Sequence, residues 1–184
     1  LTCQMPVLAD IVSSGLDWYR HRWIWQKDKC GNFLVSKYEP LKYTEDVLVF
    51  SKSGYKQAPN VKIKKVKSIY NPQMTINENG KARKVNSDRF GLSVNDFNSR
   101  GKSDKKDVRI HPTQKTVLLF EYLIKSYTNE GMTVLDCFAG SMTTAIACLN
   151  TDRKYICIEQ EEEMYNKAKD RIKKWHEDKA SRLF

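Results

Sequence analysis

The chain lacks the features that mark several protein classes. It has no CxxC pair, only three histidines, no apolar run approaching the length of a membrane span, and no signal-peptide pattern. His21, His111 and His176 are far apart and none sits beside a cysteine pair, which argues against a zinc centre. The five cysteines are dispersed at Cys3, Cys30, Cys137, Cys148 and Cys157. Three of them lie inside apolar strand or helix patterns, as small core residues of a protein in a reducing cytosol do. A cytoplasmic location without a membrane partner is therefore expected. The first residue is Leu1, not methionine, so a natural start is expected upstream.

With 184 residues, 40% hydrophobic and 29% charged, the composition is that of one globular domain, or of the remains of a larger one. The formal net charge of +10 is localised. Residues 1–50 carry six basic and six acidic side chains, and residues 111–184 carry eleven of each. Residues 51–110 carry fifteen basic against five acidic, so the whole excess lies there. A basic block between two neutral ones is the pattern of a polyanion-binding insert. Its stretch from about Gly54 to Arg109 has little apolar periodicity, with Tyr55, Tyr70, Phe90 and Phe97 interleaved among Lys, Arg, Asn and Ser. A solvated insertion is the plainer alternative; the localised charge and the interleaved aromatics favour nucleic-acid contact. The candidate contacts are Lys62, Lys64, Lys65, Lys67, Lys81, Arg83, Lys84, Arg89, Arg100 and Lys102.

Three segments follow from these shifts: 1–53, 54–110 and 111–184. In the first, Trp23-Ile24-Trp25 and Val47-Leu48-Val49-Phe50 read as strands, with Trp18 to Ser51 forming an antiparallel pair around a loop through Gly31-Asn32. Tyr19, Tyr38 and Tyr43 are read there as structural. In the third, Pro112 and Thr113 open a helix expected from about Gln114 to Tyr127, with Val117, Phe120, Ile124 and Tyr127 on one face. A last helix starts at Glu161 to Glu163 and carries the apolar stripe Met164, Ala168, Ile172, Trp175, which reads as core.

Between those helices lies the most informative run. Thr133 to Phe138 reads as a buried strand, Ala139 to Met142 as a turn, Thr143 to Leu149 as a helix, and Tyr155 to Ile158 as a second strand closed by Glu159. An acid at one strand tip, a glycine turn into a helix and an acid at the next tip make a nucleoside-binding βαβ pattern. The glycine admits a ligand to the backbone, and the second acid can take both ribose hydroxyls. Asp136 as a strand-end cap and Glu159 as a solvated acid opening a helix are the plainer readings. Their joint spacing favours a binding site.

Three runs of the C-terminal segment now point to a family: His111-Pro112-Thr113-Gln114-Lys115, Val134 to Thr144, and Tyr155 to Glu159. They resemble the cofactor-binding half of DNA amino-methyltransferases, which move a methyl group from S-adenosylmethionine to the exocyclic amine of adenine or cytosine. The order of motifs is similar to the beta type. Trp23-Ile24-Trp25-Gln26-Lys27 and Glu45 to Lys52 look like the hairpin before the recognition insert, and Tyr70-Asn71-Pro72-Gln73-Met74 like a run early in it. The resemblance implies an α/β fold, here an incomplete Rossmann-like methyltransferase sheet with a basic loop-rich insert. It also implies double-stranded DNA as partner and S-adenosylmethionine as cofactor. By resemblance Asp136, Phe138 and Gly140 line the methionine end of the cofactor, and Glu159 takes its ribose. His111, Pro112, Thr113, Gln114 and Lys115 approach from the other side. Thr143 and Thr144 begin a helix whose free N–H groups can meet a carboxylate.

The chain departs from the pattern in three places. Met142 stands where a second glycine is usual, and is expected to fill the cofactor's space or to strain a turn that wants positive φ. Thr116 replaces a proline, at a helix start that tolerates it. The family's catalytic Pro-Pro-aromatic motif is absent, because Pro6, Pro40, Pro59, Pro72 and Pro112 include no adjacent pair. In the beta order that motif lies upstream, so an N-terminally truncated chain is expected, with central strands of the sheet missing. No residue is assigned a catalytic role. The resulting expectation is the C-terminal portion of a restriction-modification or phage-type methyltransferase, acting on adenine before cytosine and inactive alone. The alternatives are a non-catalytic DNA-binding remnant, or a subunit completed by a separate N-terminal chain.

Overall fold

The Trp- and Val-rich runs of the first segment pair antiparallel, as their composition leads one to expect. The computed structural model describes residues 2–3, 6–27, 34, 36–41, 43–52, 69–71, 73–76, 82–84, 109–111 and 113–181. Tertiary contacts divide the chain into two units, Leu1–Ile69 with Lys84–Ser99, and Tyr70–Arg83 with Arg100–Phe184.

The regular elements of the first unit are strand β1 (Thr2–Cys3), helix α1 (Val7–Ser14), strand β2 (Tyr19–Gln26) and strand β3 (Thr44–Phe50). The sheet runs β1-β3-β2, and both pairings are antiparallel. Trp23 lies opposite Val47 and Trp25 opposite Glu45, and both tryptophans are buried. Ion pairs support the same strands, Lys27 to Glu45 at 2.9 Å and Arg22 to Asp46 at 3.2 Å. Helix α1 was not foreseen; none of its residues is fully buried, and Leu8, Ile11 and Val12 form its half-buried face. The loop through Gly31-Asn32 lies outside the described residues.

The middle segment contributes β4 (Met74–Ile76) and β5 (Ala82–Lys84), which pair with each other. Arg83 and Lys84 fall on β5. The other candidate DNA contacts, Lys62, Lys64, Lys65, Lys67, Lys81, Arg89, Arg100 and Lys102, lie outside the described residues.

The rest of the second unit is a parallel strand pair with helices on it: α2 (Val117–Tyr127), β6 (Thr133–Asp136), α3 (Thr143–Asn150), β7 (Lys154–Cys157) and α4 (Glu162–Ala180). Val117 and Ile124 of α2 pack on Ile146, Ala147 and Cys148 of α3, with Phe120, Val134, Tyr155, Ile172 and Trp175 around them. Thus the α4 stripe is core. Helix α2 begins at Val117, three residues later than expected. Its N-cap Thr116 is extended at φ −73°, and the residues before it are held in a turn by Gln114 N–H to the His111 carbonyl at 3.1 Å.

Two expectations about the strands are corrected. Strand β6 ends at Asp136, because its carboxylate takes the Phe138 N–H at 3.1 Å and bends the chain there, leaving Cys137 exposed rather than in the core. Nor is the strand pair buried throughout. Val134, Tyr155 and Cys157 face the helices, whereas Leu135, Ile156 and Ile158 on the other face are 60%, 54% and 52% exposed. An apolar run reads as a strand covered on both faces; among the described residues of this unit the helices cover one.

Candidate functional site

The two parallel strands end side by side, Asp136 opposite Cys157, so the residues that follow them share one edge of the sheet. The ladder continues past the strands, with Ile158 N–H to the Asp136 carbonyl at 2.9 Å and Ala139 N–H to the Ile158 carbonyl at 3.0 Å. This brings the Gly140 turn against Glu159. The Glu159 carboxylate accepts the Gly140 N–H at 2.7 Å and the Glu161 N–H at 3.0 Å. Those bonds, first from Glu161 and then from Gly140, hold the carboxyl below the usual carboxylate range, with a smaller contribution from nearby His111. Glu159 is therefore an anion at neutral pH, with lone pairs left to accept hydroxyl donors.

Asp136 plays the local role its position allows. One carboxylate oxygen holds the Phe138 N–H and the other accepts the Thr144 hydroxyl, which ties the strand tip to the first turn of α3. Gly140 has φ +48°, and a Cβ built there would meet nothing within 4 Å, so its surroundings are open. Phe138 is 90% exposed beside it. An open backbone, an exposed aromatic ring and an anionic acceptor thus stand together at the strand tips.

Met142 corrects the expectation that its side chain fills the cofactor's space. Its backbone is left-handed, at φ 55° and ψ 36°, as a glycine position would be. Its side chain is buried among Ala139, Ala145 and Ala168, in the core of the unit. Thr116 is similarly compatible with the position it occupies, since φ −73° lies near the value a proline ring fixes.

The 111–115 segment meets the turn from the other side. The Thr143 hydroxyl donates to the Lys115 carbonyl at 3.3 Å. Gln114 accepts the Ile110 N–H at 3.0 Å, and the His111 ring nitrogen lies 2.8 Å from the Thr113 hydroxyl. Pro112 lies outside the described residues. The structure therefore brings together Asp136, Phe138, Gly140, Thr143, Thr144 and Glu159, with His111 and Lys115 beside them. Thr113 and Gln114 bond within their own loop.

Sequence reading missed Arg171. This α4 residue is buried, and its guanidinium donates to the Ser141 carbonyl at 2.6 Å and to the Thr143 hydroxyl at 3.2 Å. The signal was available: Met164, Ala168, Arg171 and Trp175 follow the spacing of a core stripe, with one charge inside it. Burial pushes Cys148 up to about 11 and Cys157 up to about 12, so both stay protonated at neutral pH. Among the described residues no three His, Cys, Asp or Glu side chains cluster to hold a metal, and no helix is long and apolar enough to cross a membrane.

Two parallel strands joined by a helix, with a glycine turn and two acids at their carboxyl ends, define the class as Rossmann-like and nucleoside-binding. The DNA methylase family model for N6 and N4 amino-methyltransferases matches residues 8–170, and the chain belongs to that family. It is 51% identical over 51 residues to the type II methyltransferase M.BglI of Bacillus subtilis, covering 28% of this chain and 15% of the relative. It is 45% identical over 67 residues to the type II methyltransferase M2.MboI of Moraxella bovis, covering 36% and 23%. The chain thus spans less than a quarter of the length of these relatives. Among solved structures, the M1.HpyAVI–SAM complex superposes with a TM-score of 0.59 and 26% identity, over 93% of this chain and 72% of that one.

Proposed function

We propose that the chain binds S-adenosylmethionine at the carboxyl ends of β6 and β7 and serves methyl transfer to an exocyclic amine of adenine or cytosine in DNA. The observation that carries the cofactor assignment is the juxtaposition of the open Gly140 turn with the anionic Glu159. Glu159 would accept the ribose hydroxyls, and Phe138 and Gly140 would lie against the bound molecule. The N-terminal turn of α3, from Thr143, would face its carboxylate, with His111 to Lys115 closing the other side. When bound, the cofactor supplies an electrophilic methyl group on a sulfonium. The contribution of this chain is to hold and orient it. The Pro-Pro-aromatic motif, which would accept hydrogen bonds from the target amine, is absent from the 184 residues. Family membership supports this reading, as does the SAM complex of M1.HpyAVI.

The basic segment 51–110 is assigned to double-stranded DNA, on its localised charge and the family. A cytoplasmic location is assigned with it. Titration calorimetry with S-adenosylmethionine on wild-type and Glu159→Ala protein tests the cofactor assignment. Saturable wild-type binding that Glu159→Ala abolishes supports it, and no wild-type heat overturns it.

A second reading concerns completion of the sheet, and the exposed face of Leu135, Ile156 and Ile158 favours it. On this reading a separate polypeptide carrying the Pro-Pro-aromatic motif covers that face and adds further strands at the edge of the sheet. The alternative without chemistry, a DNA-binding remnant, expects DNA affinity with no cofactor binding.

A further inference from the structure

A buried arginine on the last helix joins both chain segments that wall the proposed cofactor site. Arg171 is 7% exposed. Its Nη1 reaches the Ser141 carbonyl at 2.6 Å and the Thr143 hydroxyl at 3.2 Å. That hydroxyl also lies 3.2 Å from Ser141 Oγ and 3.3 Å from the Lys115 carbonyl. A hydroxyl has one proton, so the roles follow. Thr143 accepts from Arg171, gives its proton to the Lys115 carbonyl, and receives that of Ser141. Through one hydroxyl, α4 therefore fixes the spacing between the Gly140 turn and the 111–115 segment.

Stability alone does not favour such a residue. A well-packed apolar side chain commonly does as well as a buried charge. A cation beside the first turn of α3 also opposes the helix dipole. What the guanidinium adds is directional: it can hold a carbonyl and a hydroxyl at once, in fixed geometry.

We propose that Arg171 is a positioning residue for S-adenosylmethionine, setting through Ser141 and Thr143 the gap in which the cofactor is held. This rests on the cofactor assignment above. The test uses the full chain. Calorimetric titration with S-adenosylmethionine, thermal melting, and amide hydrogen exchange over 139–143 without ligand are compared for wild type, Arg171→Met, Arg171→Lys, Thr143→Val and Thr143→Ser.

Arg171→Met is expected to bind at least tenfold more weakly and to exchange faster at the turn. Arg171→Lys recovers part of the affinity, because an ammonium still reaches the Ser141 carbonyl. Thr143→Val weakens binding severalfold and lowers the melting temperature by a few degrees, because the Lys115 carbonyl, the Ser141 hydroxyl and Arg171 lose the shared hydroxyl, and Thr143→Ser, which keeps it, recovers most of both losses. Should Arg171→Met not fold, the Thr143 pair decides, since it cuts the same link with a smaller change. Folded variants that bind as tightly as wild type overturn this proposal alone. A wild-type chain that takes up no cofactor overturns the assignment on which it rests as well.

Discussion

The carboxylate of Glu159 holds the backbone N–H of Gly140 at 2.7 Å, across nineteen residues of sequence. The bond joins the tips of adjacent parallel strands and pins a turn whose backbone is open to a ligand. After the Glu161 N–H, it also helps to keep Glu159 charged, so the residue that shapes the turn is the one equipped to accept hydroxyl donors.

Glu159→Gln keeps an acceptor for the Gly140 amide but loses the charge. Hydrogen bonds to a charged group contribute about 1.5–3 kcal/mol against about 1 for neutral ones, so S-adenosylmethionine affinity should fall roughly 10-fold or more. Calorimetry reads this directly; equal affinity would remove Glu159 from the site.

Acid should narrow the difference in stability between the same two proteins. The folded-state pKa of Glu159 lies below its ordinary value of 4.5, so the carboxylate stabilises the fold above that value. That contribution is lost as pH falls through the lower folded value. Denaturant unfolding of wild type and Glu159→Gln at about pH 7 and about pH 3 is expected to show a gap that narrows at the lower pH. A gap of unchanged size would mean the substitution acts through packing.

Met142→Gly sets two effects against each other. Relieving a left-handed non-glycine residue gains about 1–3 kcal/mol. Removing a buried methionine side chain costs about 2–5 kcal/mol, because Ala139, Ala145 and Ala168 are too small to fill the space. The cavity should win, giving net destabilisation of about 1–2 kcal/mol by chemical denaturation, with no gain in cofactor affinity. Tighter binding by Met142→Gly would mean that the methionine obstructs the site.

The strand tips were legible because Asp136, Gly140 and Glu159 are each marked by local pattern: an acid ending an apolar run, and a glycine where the chain must turn. The left-handed demand at position 142 could be read in the same way. The fate of its side chain could not, since that depends on three alanines brought together from the turn, α3 and α4. Arg171 escaped notice because a charge near an amphipathic stripe is normally at its border, whereas here it faces inward. Leu135 and Ile156 were misread for a different reason. Hydrophobicity shows that a residue suits burial, but what covers it is a property of the tertiary structure.

DNA affinity should depend steeply on salt. If residues 51–110 neutralise six or more phosphates, affinity falls by about 10³-fold or more between about 50 and 200 mM salt. Replacing Lys62, Lys64, Lys65 and Lys67 with glutamine should flatten that dependence in a fluorescence anisotropy titration, because each lost phosphate contact lowers the slope by about 0.9. A flat response in the wild-type chain would remove the segment from the DNA interface.

Leu135 and Ile156 stand opposite each other on the open face of the strand pair, with Ile158 continuing the same face past the end of β7. Each is more than half exposed, so covering all three would contribute about 2–4 kcal/mol, half of what full burial of three such side chains offers. That is enough to favour a binding partner and too little to destabilise the unit while the face is bare. Leu135→Lys with Ile156→Lys should therefore change the chain's own stability by less than about 1 kcal/mol, since exposed substitutions cost little. The same pair should abolish recovery of a co-expressed polypeptide carrying the Pro-Pro-aromatic motif, because two unpaired charges would be buried at the contact. Recovery unaffected by the double substitution would show that completion of the sheet, if it occurs, does not use this face.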